Sequence, residues 1–163
     1  MTRMIAAILL LLSLPFIVLT CLFLLLTGVK PFFVQPRLGK EKKAFQIYKF
    51  RTMHQGKVTF LGKFLRKTGW DEWPQLINIV AGQMAFVGPR PLTEEDVRRL
   101  NWDGPEQAFR WTVRPGITGL AQLQRKCDAN LSLQNDRIYV ENKDWKLDGK
   151  LLFRSLVVPL IGK

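Results

Sequence analysis

The chain has 163 residues, of which 47% are hydrophobic and 23% charged, and its 25 basic and 13 acidic residues give a formal net charge of +12. This length corresponds to one domain, and the large apolar fraction excludes a disordered tail. Twelve basic residues and one acidic residue precede Asp71, so the positive charge lies mainly in the first part of the chain and indicates an anionic partner, either nucleic acid or an anionic membrane surface.

The first predicted element is a membrane-embedded helix. Residues 5–29 carry no charge, a run longer than the ~18 apolar residues that indicate a membrane helix. A cleaved signal peptide is the competing interpretation, but its apolar region has roughly 7–15 residues and ends in a small-x-small site, and neither feature precedes Lys30. We therefore expect residues 1–29 to be embedded in the membrane and residues 30–163 to form a membrane-associated cytoplasmic domain.

Pro15 interrupts this helix near its middle. Its ring removes a backbone donor and clashes with the carbonyl of Leu11, which predicts a bend, and the hydroxyl of Ser13 can satisfy the loosened backbone. Basic residues flank both ends, so a re-entrant hairpin with both ends in the cytoplasm satisfies the positive-inside rule twice. A kinked helix that spans the membrane, with Arg3 outside, is the alternative that the sequence leaves open.

An irregular β-hairpin and a short amphipathic helix are predicted next. Residues 32–35 and 45–50 are aromatic and β-branched runs joined by a connection rich in Pro, Gly and Lys, which predicts a hairpin with a basic tip at residues 40–43. Apolar residues at positions 60, 61, 64 and 65 alternate with basic ones, which predicts a helix that can lie in the lipid headgroup layer. An ordinary surface helix is the alternative.

Two adjacent carboxylates, Asp71 and Glu72, follow the basic half and are flanked by Trp70 and Trp73. Close charges and apolar surroundings move the pKa values of such a pair apart, so that one carboxylate can attack or hold a divalent cation while the other handles a proton. The alternative is a helix start, because residues 73–80 resemble a helix with proline in its first turn, and acids interact favourably with a helix N-terminus.

Two rigid turns downstream each carry an arginine, Arg90 in residues 88–91 and Arg114 in residues 114–119. Proline fixes φ beside each arginine, and glycine lets backbone amides approach an anion. Because a guanidinium suits bidentate phosphate recognition, the two arginines could clamp a diphosphate; structural turns with incidental arginines are the alternative. Asp136 lies in a later acidic stretch, where helix capping is the default interpretation.

Together these elements predict an α+β fold that is mainly helical, with a membrane-embedded kinked helix, a small β-hairpin and interfacial amphipathic helices, the last at residues 145–160. The lone His54 and the two cysteines, Cys21 and Cys127, have neither metal-site nor disulfide-framework spacing. Nucleic-acid binding is the weakest explanation of the charge, because the basic residues cluster beside the apolar segment without a recognition motif.

Four ordered motifs resemble those of the monotopic phosphoglycosyl transferases, the bacterial sugar transferase family that begins glycoconjugate assembly on a polyprenol carrier. They are KFRTM at residues 49–53, DEWPQLIN at 71–78, VGPRP at 87–91 and RPGITGLAQ at 114–122. The chain departs from the family pattern at Ser13-Leu14-Pro15, where the serine is displaced by one position, at Ala6, where an acid is frequent, and at Gln83, where Asp is usual.

The resemblance implies a membrane enzyme at the cytoplasmic face of the bacterial inner membrane, which transfers a sugar phosphate from a UDP-sugar to polyprenol phosphate and releases UMP. By resemblance, Asp71 attacks the sugar-side phosphorus to form a phospho-aspartyl intermediate, and Glu72, with Asp71, binds Mg²⁺. The residues expected to bind substrate or phosphate are Arg51, Arg66, Arg90, Arg114, Thr118 and Asp136. Anionic membrane lipids are expected as further partners and nucleic acid is not, while the sugar and the oligomeric state are left open. A non-catalytic basic membrane adaptor is the alternative function.

Overall fold

The computed structural model describes residues 2–124 and 128–161, which form two compact units. The first unit comprises residues 1–35 and 46–82, and the second comprises residues 36–45 and 83–163. These units follow the contacts between elements, whereas the predicted division after residue 29 follows the membrane environment, and it stays a prediction. Cys127 lies outside the described residues.

The first unit is mainly helical, as predicted. Its elements are α1 (Thr2–Leu26), the β3–β4 hairpin (Met53–His54 and Lys57–Val58), α2 (Phe60–Thr68), a 3₁₀ segment (Trp70–Gln75) and α3 (Leu76–Val80). The predicted β-hairpin is confirmed as a two-stranded sheet of β1 (Phe32–Leu38) and β2 (Ala44–Phe50), with a 3₁₀ turn (Lys40–Lys42) at its basic tip. Both strands pass from one unit into the other.

Helix α1 is long and apolar enough to cross a membrane. Its buried residues are Ala6, Ser13, Thr20 and Leu24, so three small side chains recur every seven positions along one face. Small side chains let two helices approach closely, and α1 packs against α3. Large apolar side chains cover the other faces of α1 and are exposed, up to 87% at Leu26. Such a continuous apolar surface suits lipid better than water.

The backbone of α1 remains helical through Pro15. The hydroxyl of Ser13 donates a hydrogen bond of 2.9 Å to the carbonyl of Leu10, which precedes the Leu11 carbonyl that the proline leaves without its helical donor. The N-terminal end of the helix is also held, because Arg3 Nη2 donates to the carbonyl of Ala81, just after α3. The re-entrant path predicted for this helix is taken up below.

Helix α2 confirms the predicted amphipathic element. Its first turn is capped by Thr59, whose hydroxyl accepts a hydrogen bond from Gly62 N, and it ends at Gly69, which adopts a left-handed conformation with φ of 74°. Leu65 is buried, whereas Phe60 is 90% exposed. The helix thus presents an aromatic side chain together with basic ones at the surface, and its position in a headgroup layer stays a prediction.

The second unit is built around a short parallel pairing. Its elements are β5 (Ala85–Val87), α4 (Glu94–Leu100), a 3₁₀ segment (Pro105–Thr112), β6 (Gly116–Thr118), α5 (Ala129–Glu141) and α6 (Trp145–Ile161). Strands β5 and β6 run parallel, with Ala85 opposite Gly116 and Val87 opposite Thr118. Tyr139 of α5 and Leu151 of α6 pack with Val87 in one apolar cluster, which anchors both helices on β5.

Candidate active site

The acidic pair lies in the 3₁₀ segment Trp70–Gln75 and is framed by aromatic rings. Phe16 of α1 packs edge to face against the two flanking indoles, with ring centroids 4.6 Å from Trp70 and 5.6 Å from Trp73. Such aromatic pairs bury large areas and favour defined orientations. The middle of the apolar helix therefore fixes the backbone that carries Asp71 and Glu72.

The helix-start interpretation of this pair is confirmed in part, because both carboxylates lie in the first turn of the 3₁₀ segment. The predicted helix at residues 73–80 is divided into the 3₁₀ segment and the five-residue α3, which begins at Leu76. Pro74 lies inside the 3₁₀ segment and cannot donate a backbone hydrogen bond. Asp71 and Glu72 therefore lie at the start of a 3₁₀ segment that leads directly into α3, and not in the first turn of α3 itself.

Lys49 provides the acidic pair with a counter-charge. Its Nζ donates to Glu72 Oε1 at 2.5 Å, and the two side chains are only 21% and 29% exposed. Sequence analysis placed Lys49 in a motif without assigning it a contact. The available sequence signal was its place in the KFRTM motif, 23 positions before Glu72, and that separation does not specify a contact.

The side chain of Asn78 in α3 holds the strand that carries Lys49. Asn78 is fully buried, its Nδ2 donates to the carbonyl of Gln46 at 2.6 Å, and its Oδ1 accepts from Tyr48 N at 3.3 Å. These two bonds imitate the pairing of a neighbouring strand. Asn78 thereby fixes the backbone next to Lys49 relative to the acidic pair.

Burial raises the pKa of Asp71, and the neighbouring charge of Glu72 raises it further. Lys49, a backbone hydrogen bond and Arg66 oppose this effect and favour the carboxylate. Asp71 is thus a carboxyl group whose proton affinity is increased by its surroundings while nearby cations favour its ionised form. This combination suits a carboxylate nucleophile.

Two of the predicted arginines, Arg66 and Arg51, lie in this unit, and they make different contacts. Arg66 Nε donates to Thr52 Oγ1 at 2.7 Å, and its charge acts on Asp71. Arg51 Nη2 donates to the carbonyl of Phe32 at 3.2 Å, so its guanidinium is tied to the β1 backbone. The structure thus associates Arg66 with the acidic pair and gives Arg51 a contact with the hairpin; phosphate binding by either stays a prediction.

In the second unit, the two arginine-bearing turns lie side by side. Gly88 N donates to the carbonyl of Thr118 at 2.9 Å, and Gly116 N donates to the carbonyl of Pro89 at 3.0 Å. A Cβ on Gly116 would overlap the backbone at Gly88, so glycine is required for this close approach. Both Arg90 and Arg114 are exposed, as a pair of phosphate ligands would need to be.

Asp136 occupies a different environment from the one that the capping interpretation requires. It lies inside α5, its Oδ2 accepts from Arg110 Nε at 2.7 Å, and both side chains are only 2% exposed. Burial raises the pKa of Asp136, and the charge of Arg110 opposes that effect. The capping interpretation is therefore wrong for Asp136, and its predicted contact with substrate stays a prediction. Sequence analysis missed Arg110, because its only signal is a basic residue beside tryptophan.

The residues around Asp71 suit a magnesium ion, which needs few protein ligands, better than a metal ion that is coordinated by protein side chains alone. Within residues 2–124 and 128–161, no group of three or more His, Cys, Asp or Glu side chains is placed to bind a metal. Magnesium is usually held by one or two carboxylates and takes its other ligands from water and substrate phosphates. The adjacent Asp71 and Glu72 fit that requirement, although Lys49 already engages one oxygen of Glu72.

Comparison with protein families finds a match over residues 1–162 to the family model described as bacterial sugar transferase. The chain is also 33% identical to an exopolysaccharide production protein, PSS, of Rhizobium leguminosarum, over 90% of this chain and 86% of the relative. The alignment thus covers most of both chains.

Two longer relatives are named for specific reactions. One is the UDP-N-acetylgalactosamine-undecaprenyl-phosphate N-acetylgalactosaminephosphotransferase of Aeromonas hydrophila, 32% identical over 91% of this chain and 40% of the relative. The other is the UDP-glucose:undecaprenyl-phosphate glucose-1-phosphate transferase of Caulobacter vibrioides, 34% identical over 93% of this chain and 65% of the relative. The chain thus spans less than half of the first relative and about two thirds of the second.

Proposed function

Since this chain belongs to the bacterial sugar transferase family, we propose that it transfers a sugar 1-phosphate from a UDP-sugar to polyprenol phosphate, giving a polyprenyl-diphospho-sugar and UMP. The observation that carries this proposal is the partly buried Asp71, whose pKa is raised and which lies between an aromatic frame and the Lys49–Glu72 pair. The names of the Aeromonas and Caulobacter relatives support the substrate classes. The reaction would begin the synthesis of a bacterial glycoconjugate.

In the first step, a carboxylate oxygen of Asp71 attacks the phosphorus that bears the sugar. The new bond joins this oxygen to phosphorus, and the bond from phosphorus to the bridging oxygen of the diphosphate breaks. UMP leaves with the electron pair of that bond. A phospho-aspartyl sugar remains, and one difficult transfer has become two displacements.

In the second step, a phosphate oxygen of polyprenol phosphate attacks the same phosphorus and releases Asp71 as a carboxylate. Lys49 and Arg66 favour the ionised form of Asp71 and so oppose part of the effect of its burial, although its pKa remains raised. Glu72 and Asp71 would hold Mg²⁺, and the bound ion would neutralise phosphate charge. The exposed Arg90 and Arg114 would neutralise phosphate charge on the nucleotide sugar.

The contacts of α1 support the re-entrant path in preference to a full crossing. Phe16, just past the middle of the helix, packs beside the segment that carries Asp71 and Glu72, and Arg3 at the helix start contacts Ala81. If α1 crossed the bilayer along its normal, these carboxylates would lie near the bilayer centre, where charged groups are costly. We therefore place α1 at shallow depth, with its ends and the acidic pair on the cytoplasmic side of the inner membrane.

Accessibility labelling tests this topology. A Thr2→Cys variant, in a background in which Cys21 and Cys127 are replaced by serine, is treated with a membrane-impermeant maleimide in spheroplasts. We expect labelling only after the membrane is permeabilised, as for a matched Gly149→Cys variant in α6 of the second unit. Labelling of Thr2→Cys in intact spheroplasts would contradict the re-entrant arrangement.

The reaction is tested by measuring UMP release from a panel of UDP-sugars with polyprenol phosphate and the full-length protein in lipid nanodiscs. Asp71→Asn should lose turnover, and a UDP-sugar labelled at the sugar-side phosphate should label wild-type protein but not this variant. Activity that persists in excess EDTA would contradict a requirement for Mg²⁺. A membrane adaptor without catalysis would give no UMP release with any sugar, and that outcome would reject the proposed function.

A further inference from the structure

Every backbone carbonyl from Gly88 to Leu92, in the turn that carries Arg90, accepts a hydrogen bond. Three of the donors are typical of packed loops: the Gln122 side chain for Gly88, Gly116 N for Pro89 and Leu38 N for Leu92. The two central carbonyls are engaged by arginine side chains. Arg110 Nη2 donates to the carbonyl of Arg90 at 2.9 Å, and Arg37 Nη1 donates to the carbonyl of Pro91 at 3.2 Å.

Each of these two arginines is itself anchored by an aspartate. Arg110 pairs through Nε with Asp136 at 2.7 Å, and Arg37 pairs with Asp96 at 3.2 Å. Asp96 is fixed in turn by the capping box of α4, where its side chain accepts from Thr93 N and its own amide donates to the Thr93 hydroxyl. The backbone at Arg90 and Pro91 is therefore tied, through two ion pairs, to α5 and α4.

Aromatic rings restrict Arg110 further. Its guanidinium lies 5.0 Å from the ring centroid of Trp102 and 5.6 Å from that of Trp111, within cation–π range. A guanidinium that is paired, stacked and 2% exposed has little freedom to move. The carbonyl that it holds is correspondingly fixed.

The charges in this arrangement are distributed unequally. Asp136 neutralises Arg110 and Asp96 neutralises Arg37, whereas the exposed guanidinium of Arg90 makes no ion pair with any residue in the described part of the chain. The two supporting arginines thus give rigidity to the turn, and Arg90 alone presents uncompensated positive charge there. A cation whose backbone is already held suits an anionic ligand, because only its side chain must be ordered on binding.

We propose that Arg37 and Arg110 are positioning residues that hold the Arg90 turn in the conformation that binds the diphosphate of the nucleotide sugar. This inference rests on the proposed function. Arg110 and Arg37 do not touch the ligand in this account; they act through the carbonyls of Arg90 and Pro91. Asp136, which sequence analysis placed among the substrate-binding residues, is here the anchor of Arg110.

The decisive variant is Arg110→Lys. It keeps the charge, but it replaces the two separate nitrogens that bond Asp136 and the Arg90 carbonyl by one nitrogen, without the fixed fork of the guanidinium. We expect KM for the UDP-sugar to rise about tenfold while kcat changes less, because the lost contribution is to ground-state binding. In an Arg90→Ala background, Arg110→Lys should add no further increase in KM, because both changes act through the same side chain.

A second variant keeps the test decisive if Arg110→Lys does not fold. Arg110→Met with Asp136→Leu replaces the buried ion pair by apolar groups, which is often neutral for stability, and removes the contact with the Arg90 carbonyl. The matched control is Arg98→Met, which removes an exposed charge of α4 whose partner is Glu94 and should leave KM unchanged. Thermal unfolding of each variant establishes that the folded state is being compared.

Hydrogen exchange at the amides of Gly88, Arg90 and Leu92 separates this inference from the proposed function; Pro89 and Pro91 have no amide hydrogen. Faster exchange in Arg110→Lys and in the apolar double variant, with no change in Arg98→Met, is expected. Unchanged exchange, an unchanged KM in both variants, or an additive increase in KM in the Arg90→Ala background would overturn the positioning role. If wild-type protein releases no UMP, the proposed function fails, and exchange still decides whether the two arginines hold the turn.

Discussion

The phenyl ring of Phe16 lies 4.6 Å from the indole of Trp70, and the two rings meet edge to face. Phe16 follows the proline in the middle of α1, and Trp70 directly precedes Asp71. The apolar helix is thus a structural support of the candidate nucleophile as well as a membrane element. Substitutions within this helix should therefore change the rate of the reaction.

Replacing Phe16 by alanine should lower turnover without releasing the protein from the membrane. Loss of the ring removes contacts with Trp70 and Trp73, and a displacement of about 1 Å in a reacting group can cost roughly 100-fold in rate. UMP release and membrane flotation are measured in parallel. Phe23→Ala, an exposed position on the same helix, is the control and should keep turnover close to that of wild type. Equal losses in the two variants would contradict a specific role for Phe16.

Replacing Lys49 by methionine should move the acidic limb of the pH–rate profile to higher pH. Asp71 acts as a carboxylate, burial and Glu72 already raise its pKa, and Lys49 counteracts them, so removing the lysine raises the pKa further. The profile is measured from single-turnover UMP release, with Lys57→Met, an exposed position on β4, as the control. An acidic limb that is unchanged, or that moves to lower pH, would show that Asp71 does not control it.

Asp71→Asn should stabilise the folded protein at neutral pH while abolishing turnover. Because the pKa of Asp71 is raised on folding, the native state binds more protons than the unfolded state between the two pKa values, and stability falls as the pH rises through that interval. The uncharged asparagine avoids the free-energy cost of ionising a partly buried carboxyl group. We expect a gain on the order of 1 kcal/mol, or roughly 2–4 °C in Tm.

The pH dependence of that gain provides its control. Below the unfolded-state pKa, Asp71 is protonated in both states, so the difference in Tm between Asp71→Asn and wild type should disappear. A stabilisation that is equally large in acid would point to a packing effect unrelated to charge. Thermal unfolding in lipid nanodiscs at several pH values distinguishes the two.

Two glycine-to-alanine changes should have opposite effects on stability. A Cβ on Gly62 of α2 would overlap the carbonyl oxygen of Thr52, so Gly62→Ala must displace the helix from the strand connection. Gly149 of α6 has open space at that position, and alanine there should add up to about 1 kcal/mol through helix propensity. Thermal unfolding measures both. Destabilisation by Gly149→Ala similar to that by Gly62→Ala would contradict this explanation.

The local elements of this fold could be predicted because each depends on residues close together in sequence. The apolar run of α1, the aromatic and β-branched runs of the hairpin and the spacing of apolar positions in α2 each indicate an element from its own residues. The Asp71–Glu72 pair was recognisable for the same reason. Its position at a helical start was also predicted, but that start is a 3₁₀ turn before α3 and not the first turn of one α-helix.

The partners of the site residues could not be predicted in the same way. Lys49 and Glu72 are 23 positions apart, and Arg37 lies 59 positions from Asp96. Nothing in the spacing of a charged residue specifies a contact at that separation, since the tertiary packing of the intervening elements determines it. The buried Arg110–Asp136 pair is the clearest case, because each residue alone resembles an ordinary surface charge.

The bonds made by Asn78 also bear on association between molecules. A strand at the margin of a sheet exposes free amides and carbonyls, which can pair with a strand of another chain. In β2, the carbonyl of Gln46 and the amide of Tyr48 are already occupied by the Asn78 side chain. These two groups are therefore not open to pairing with a strand of another chain, which limits edge-to-edge association at this point of the margin.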